Sequence, residues 1–287
     1  MLRVGYSVRK VDNQVLSLAD SHNKTAFVTG ASSGIGAEFA RQLASRGYNL
    51  LLTARRADKL QQVAASITNK HQVKIRLHPA DLSTIADIEQ LVFILGSLSR
   101  LDLLVNDAGF GTVGRFYRIE AAKELAMLNV HMVAPVMLCR AALPGMLSRN
   151  CGAIINVSSL SGLIPIRNVL YQSTKSFLVG FSRALQSELL GSQVYVQALC
   201  PGFVYTEFHD TPEYTHFSRS SVPSFLWMTP DQVVSASLNA LEHHRLICIP
   251  GWIYRLAGVL GGNSLTAGLV RSAAKFFLRR RRTFINT

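Results

Sequence analysis

The sequence predicts an α/β protein, a doubly wound three-layer sandwich built on a mostly parallel, seven-stranded sheet. Three observations lead there. Seven short apolar runs alternate with longer segments of helical pattern between residue 24 and about residue 250. The runs are apolar almost without interruption, which signals burial on both faces, as in a parallel sheet covered by helices. The order strand, helix, strand recurs along the chain, with no other internal repeat and no low-complexity linker.

Taken in order, strands are expected at residues 25–29, 48–53, 73–77, 101–105, 153–157, 194–199 and 246–249. Gly, Pro, Asn or charged residues bound them. Amphipathic segments at 37–45, 58–68, 85–98 and 173–190 supply covering helices. This gives one domain over residues 24–255, an N-terminal extension over 1–23 and a basic tail over 256–287. A chain of 287 residues with 48% hydrophobic and 16% charged residues can bury a sizeable single core.

The formal charge of +13 is concentrated at one end. From His243 onward there are eight Lys or Arg residues and no acid, including the run Arg279, Arg280, Arg281, Arg282. Charge confined to a tail marks an accessory contact, and no nucleic-acid partner is expected. The four cysteines, Cys139, Cys151, Cys200 and Cys248, form no C-x-x-C pair and sit in apolar runs, which reads as reduced, packed thiols. Residues 1–23 hold no apolar run long enough for a signal peptide. The longest uncharged stretch, 189–206, is broken by Gly191, Pro201 and Gly202, so it reads as helix end, turn and strand, not as a membrane span. A cytoplasmic placement is expected. The eight histidines show no metal-ligand spacing, and no metal is expected.

Thr29-Gly30-Ala31-Ser32-Ser33-Gly34-Ile35-Gly36 follows the first strand and runs into a helix. A glycine-rich turn in that context lets the backbone approach a pyrophosphate, whose charge the helix N-terminus stabilises. The spacing T-G-x-x-x-G-x-G resembles the short-chain dehydrogenase/reductase superfamily. Further motifs fall in the matching order: Asp81-Leu82, Asn106-Asp107-Ala108-Gly109, Leu128-Asn129-Val130, Asn156-Val157-Ser158-Ser159, Tyr171-x-x-x-Lys175, and Pro201-Gly202 followed by Val204 and Thr206. Asp107 departs from the N-N-A-G of the family. The resemblance covers roughly residues 24–250. It implies a Rossmann-type NAD(P)-binding oxidoreductase that assembles as a homodimer or homotetramer.

The resemblance also implies roles. Gly30, Ser32, Ser33, Gly34, Ile35 and Gly36 would form the cofactor turn, and Asp81 and Leu82 would lie near the adenine. Asn106, Ala108 and Gly109 would line the cofactor, and Pro201, Gly202, Val204 and Thr206 would sit beside the nicotinamide. The second strand ends in Thr53-Ala54-Arg55-Arg56, where NAD-binding chains carry an acid. Arginine clamps phosphate through paired charge-assisted hydrogen bonds, so NADP(H) is expected over NAD(H), with Arg55 the main contact.

Tyr171 and Lys175 stand four apart in a helical pattern and share a face. A free phenol has a pKa near 10, and lowering it by about three units takes roughly 4 kcal/mol. A lysine charge about 6 Å away contributes roughly 3 kcal/mol at an effective dielectric of about 20. An oxidised nicotinamide would supply the remainder. By the resemblance, Tyr171 exchanges a proton with the carbonyl or alcohol oxygen, a serine holds the same oxygen, and Asn129 holds a water in a relay to Lys175. The usual spacing to the tyrosine points to Ser158, whereas the N-x-S-S strand end points to Ser159. Ser159 is favoured, because the loop 164–168 looks one residue short.

Substrate choice is expected between Glu207 and Met228, where Phe208, Tyr214, Phe217, Phe225, Leu226 and Trp227 favour a hydrophobic ketone or aldehyde and its alcohol. Two alternatives stay open: a 3-ketoacyl reductase of lipid metabolism, and a catalytically silent NADP(H)-binding redox sensor. In the tail, Arg271, Lys275, Arg279 and Arg282 oppose Leu269, Ala273, Phe276 and Phe277. That basic amphipathic pattern suits either a peripheral membrane contact or a terminal helix packed on the domain.

Overall fold

In the computed structural model, residues 24–164, 168–211, 214 and 217–262 are described. In chain order the strands are β1 (Thr25–Thr29), β2 (Asn49–Thr53), β3 (Ile75–Leu77), β4 (Leu103–Asn106), β5 (Gly152–Val157), β6 (Val194–Leu199), β7 (Phe203–Val204), β8 (Trp227–Met228) and β9 (Ile247–Cys248). The helices are α1 (Gly34–Ser45), α2 (Ala57–Thr68), α3 (Ile85–Ser97), α4 (Ala121–Leu128), α5 (Ala134–Ser148), α6 (Val169–Glu188), α7 (Pro230–Glu242) and α8 (Trp252–Gly262).

All seven apolar runs become strands of one parallel sheet, in the order β3-β2-β1-β4-β5-β6-β9. Side chains alternate between two cores. Along β1, Ala26 and Val28 face the layer that holds Phe39, Leu43, Leu60 and Leu238, on α1, α2 and α7. Phe27 faces the opposite layer with Ile88, Leu91, Leu138 and Leu185, on α3, α5 and α6. A strand apolar on both faces is therefore the expected middle layer of a three-layer sandwich. The strand order reverses between β1 and β4, and the carboxyl ends of those two strands open the crevice where such sheets bind ligands.

Four helices, α4, α5, α7 and α8, exceed those read from periodicity. The first two run on through a π turn at Asn129–Val133. The stretch Ala121–Ser148, 28 residues, is long and apolar enough to cross a membrane by length and composition. Here it forms part of the core: Ala134, Leu138, Cys139, Ala142 and Met146 are buried against α3 and the sheet. Helix α6 starts at Val169, earlier than expected, because the Asn168 side chain caps it by accepting from Tyr171 N at 3.1 Å. The short parallel pair β7–β8 was not foreseen. Of the four cysteines, Cys151 is exposed rather than packed. The extension 1–23, the tail beyond Gly262 with its basic pattern, and Pro165, Ile166 and Arg167 of the loop suspected of a deletion lie outside the described residues.

A buried polar bridge fixes the centre of the sheet. Asn106 on β4 pairs in register with Asn156 on β5. Asn106 Nδ2 donates to Asn156 Oδ1 at 2.8 Å, and Asn156 Nδ2 donates to Ser182 Oγ on α6 at 2.9 Å. Removing Asn156 leaves the buried Asn106 donor with only the weak acceptor Cys139 Sγ, at 3.5 Å. Asn156→Ala is expected to lower the unfolding free energy by about 2–3 kcal/mol in urea titration. A loss below about 0.5 kcal/mol would show that the bridge adds no net stability.

Candidate active site

The glycine turn and the loop after β4 are fitted backbone to backbone. Gly30 has φ +70°, and a Cβ there would lie 2.9 Å from the Ala108 backbone. A Cβ on Gly36 would lie 2.5 Å from Gly30 O and 2.6 Å from Asp107 Oδ2. Thr29 Oγ1 ties the two segments by accepting from Asp107 N and Ala108 N, both at 3.0 Å. Ser33 at the N-cap of α1 makes no side-chain cap, so first-turn N–H groups of α1 remain for an anion. Thr206 lies against the turn, with its Cγ2 2.9 Å from where a Gly34 Cβ would sit. A backbone cradle that side chains would fill, at a helix N-terminus, fits a dinucleotide pyrophosphate.

The other cofactor positions divide. Ala108 and Gly109 continue the loop, and Ile35 opens α1 beside Gly34 and Gly36. Asp81 caps its own loop, Oδ1 accepting from Ser83 N at 3.0 Å, and Leu82 is buried. The side-chain nitrogen of Asn106 is committed to Asn156, while its Oδ1 is buried without a hydrogen-bond partner. Pro201 O accepts from Leu160 N at 2.8 Å, Val204 lies in β7, and Thr206 caps the one-turn helix Glu207–His209. Gly202 packs under the ring of Tyr254, whose hydroxyl accepts from Phe203 N at 3.1 Å and donates to Leu226 O. At the end of β2 the two arginines differ in what they touch within the protein. Arg55 is exposed, whereas Arg56 reaches the turn, donating to Ser33 Oγ at 2.9 Å and Ser32 Oγ at 3.4 Å. The cause is tertiary: Glu207, distant in sequence, pairs with Arg56 at 2.7 Å.

At the neighbouring strand ends the two candidate serines separate by role. Ser158 is buried and donates to Lys175 O at 2.7 Å, which fixes it to the α6 backbone. Ser159 Oγ accepts from Ser161 N at 3.1 Å and stands close enough to the Tyr171 phenol to favour its ionised form. Lys175 Nζ donates to Val157 O at 2.9 Å and stands 5.7 Å from the centre of the Tyr171 ring. Asn129, in the π turn, donates to Ser83 O at 2.7 Å.

Electrostatics correct one expectation. The lysine stands at about the separation assumed, yet burial raises the Tyr171 pKa, with Tyr214 and Asp107 adding to the rise and the Ser159 hydrogen bond opposing it. Burial also pulls Lys175 down to about 8, against the attraction of Asp107. Desolvation thus outweighs the pairwise attraction and favours the neutral form of each group. Asp107, the departure from N-N-A-G, is pushed up to about 7 by burial, with Lys175 and the Gly36 N–H pulling it back.

His131 escaped the sequence reading, because one histidine in an apolar helix looks like core. It is buried in the π turn, and its Nε2 accepts from Phe110 N at 3.1 Å. That leaves Nδ1–H for Thr174 Oγ1 at 2.9 Å, and Thr174 Oγ1 in turn donates to Tyr171 O at 2.9 Å. Burial holds the ring well below the usual histidine pKa, with Lys175 adding to the effect, so it is neutral. A fixed tautomer therefore ties the loop after Gly109 to the helix that carries Tyr171.

The aromatic segment after Glu207 divides as well. Phe208 lies over Tyr171 with ring centres 5.8 Å apart, and Tyr214 packs against Phe208 at 5.5 Å. Phe217 and Trp227 pack on Phe203 and His209, and Phe225 is exposed.

Two outcomes check this account. Gly36→Ala places a methyl against Gly30 O and Asp107, and is expected to abolish dinucleotide binding in fluorescence titration; retained affinity would refute the cradle. The folded pKa of Asp107 lies above its free value, so its contribution to stability is present at acid pH and is lost as pH rises from about 4 through about 7. Asp107→Asn should flatten that fall, by up to about 4 kcal/mol at pH 8. Parallel melting curves for both proteins between about pH 5 and 8 would contradict it.

Comparison with known proteins agrees with the geometry. A model of the short chain dehydrogenase family matches residues 24–214. Very-long-chain 3-oxoacyl-CoA reductase of Anas platyrhynchos is 32% identical over 242 residues, 80% of this chain and 75% of the relative. Inactive hydroxysteroid dehydrogenase-like protein 1 of Homo sapiens is 32% identical over 210 residues, 72% of this chain and 64% of that protein. Among solved structures, a short-chain dehydrogenase from Sphingobium yanoikuyae in complex with NADPH superposes with a TM-score of 0.75 at 28% identity, covering 92% of this chain and 98% of that one. A family match over most of the folded domain, on a sheet with the same glycine turn at its switch point, places this chain in the short-chain dehydrogenase/reductase family, as an NAD(P)-binding oxidoreductase acting on CH–OH groups.

Proposed function

We propose that the protein is an NADP(H)-dependent reductase of bulky hydrophobic ketones, with a long-chain 3-ketoacyl thioester as the substrate class to test first. The observation that carries the reading is the approach of Ser159 and Lys175 to Tyr171, with Phe208 packed on the Tyr171 ring and Tyr214 on Phe208. A carbonyl oxygen placed between the Ser159 and Tyr171 hydroxyls receives two hydrogen bonds, which strengthen as charge develops on it. A bound nicotinamide supplies the hydride. Tyr171 gives its proton to the nascent alkoxide, and the burial that raises its pKa keeps that proton in place beforehand. Lys175, with a pKa near 8, is largely protonated at neutral pH and can restore the proton.

The apolar cover over Tyr171 supports a hydrophobic substrate, and the name of the Anas platyrhynchos relative supports a fatty 3-ketoacyl group. Arg55 and Arg56, which follow β2 where NAD-binding chains carry an acid, support the 2′-phosphate of NADP(H), as does the NADPH complex of the Sphingobium yanoikuyae neighbour. A silent NADP(H)-binding role is the second reading, because one relative is named inactive. The retained Ser159, Tyr171 and Lys175 weigh against it.

The test is a panel of 3-oxoacyl-CoA esters of rising chain length and bulky aryl ketones, followed by NADPH absorbance. Turnover is expected to rise with apolar size. Tyr171→Phe is expected to lower kcat at least about 100-fold while cofactor affinity stays within about twofold. Ser159→Ala should lose most of kcat and Ser158→Ala little; the reverse order would exchange their roles. NADPH that binds but is turned over with no member of the panel would favour the silent reading. Arg55→Asp and Arg56→Asp should each erode preference for NADPH over NADH, and an unchanged KM ratio would remove the cofactor assignment.

A further inference from the structure

Glu207 opens the one-turn helix Glu207–His209, directly after Thr206. Its carboxylate accepts from Arg56 Nη1 at 2.7 Å and from Lys59 Nζ at 2.6 Å. The other terminal nitrogen of Arg56 donates to Ser33 Oγ and Ser32 Oγ. Two cations from the start of α2 and two hydroxyls from the glycine turn therefore gather at one place. That is the donor set a phosphate dianion takes. The place lies between the glycine turn and the end of β2, where a dinucleotide fold reads the 2′ position of the adenosine ribose.

We propose that Glu207 is a built-in competitor for the 2′-phosphate: its carboxylate occupies the donors that the phosphate needs, and only a cofactor carrying that phosphate displaces it. This rests on the NADP(H) reading above. Lys59 and Arg56 hold the Glu207 carboxyl below its usual pKa, so it is ionised at neutral pH. The side chains of Arg56, Lys59 and Glu207 are 40%, 37% and 46% exposed, and ion pairs at such exposure hold weakly. A dianion can therefore replace the single carboxylate, whereas a ribose hydroxyl cannot.

The displacement reaches the other end of the site. Phe208, the residue after Glu207, lies over the Tyr171 ring. Phe208 N donates to Thr206 Oγ1 at 3.3 Å, and Arg219 Nη2 donates to Thr206 O at 2.8 Å, so Glu207 and Phe208 belong to one short turn tied at Thr206. Releasing Glu207 removes the tie to α2 from the turn that sets Phe208 on Tyr171, and leaves it held by Thr206 and Arg219. Recognition of the 2′-phosphate thereby loosens the cover over the catalytic hydroxyl, because only the phosphate distinguishes the paired from the released state.

The test uses 2′,5′-ADP and 5′-AMP as probes, with the wild type, Glu207→Gln and Arg56→Ala compared by calorimetry. Glu207→Gln is a half-exposed, near-isosteric change that spares the fold. It is expected to tighten 2′,5′-ADP about three- to tenfold and 5′-AMP by less than about twofold. In the wild type, 2′,5′-ADP should speed amide hydrogen exchange over residues 206–210 relative to 5′-AMP. Unchanged or weakened 2′,5′-ADP affinity in Glu207→Gln, or equal tightening of both probes, overturns the competition. Equal exchange with the two probes overturns the coupling to Phe208. A wild type that binds both probes alike, with no loss in Arg56→Ala, overturns the NADP(H) reading instead. A wild type that prefers 2′,5′-ADP while Glu207→Gln changes nothing overturns the competitor alone.

Discussion

Thr29 Oγ1 accepts two backbone N–H groups from the loop after β4, and much of the site hangs from that contact. Parallel strands β1 and β4 end side by side, so their loops must diverge unless something holds them together. One hydroxyl, buried at the strand end, does so. The contact brings Ala108 under Gly30, sets Asp107 against Gly36, and starts the path through Gly109 and Phe110 to His131. From His131 it continues through Thr174 to the backbone of Tyr171. Cofactor turn and proton-handling helix are thus joined by oriented hydrogen bonds whose donors and acceptors have no alternative assignment.

Burial sets the electrostatic character of this assembly. Tyr171, Lys175, Asp107 and His131 are all enclosed, and desolvation is the first cause of every shift among them. Pairwise attractions modulate that result without reversing it. Desolvation keeps protons on Tyr171 and Asp107 and draws them from Lys175 and His131, and a protonated Tyr171 suits donation better than abstraction.

Much of the fold was legible because buried parallel strands are apolar on both faces: every expected run became a strand, with ends shifted by a few residues. Helix α5 was not, because its outward face is largely apolar too, with Val136, Met137, Ala141, Leu143 and Leu147 outside the buried set, so periodicity finds no polar stripe to detect. Helix α7 did carry a readable signal, the capping box of Thr229 and Gln232 with Pro230 in its first turn. Motif residues fell where spacing placed them, since local geometry governs them. Arg56 and His131 were illegible for a different reason. The direction of Arg56 is decided by Glu207, and the role of His131 by Phe110 and Thr174, partners that only tertiary structure supplies.

The π turn at Asn129–Val133 gives the long helix one residue more than a regular α-helix would use there. Each α-helical residue advances the side-chain direction by about 100°. Losing one residue from this segment would carry Leu138, Cys139, Ala142 and Met146 round by that angle, away from the sheet they now fill. Asn129 and His131 would leave their partners in the same step. The helix is therefore phase-locked: its residue count between the site and the core is as constrained as the identity of any side chain on it, and natural length variation should be excluded from this stretch while surface loops tolerate it.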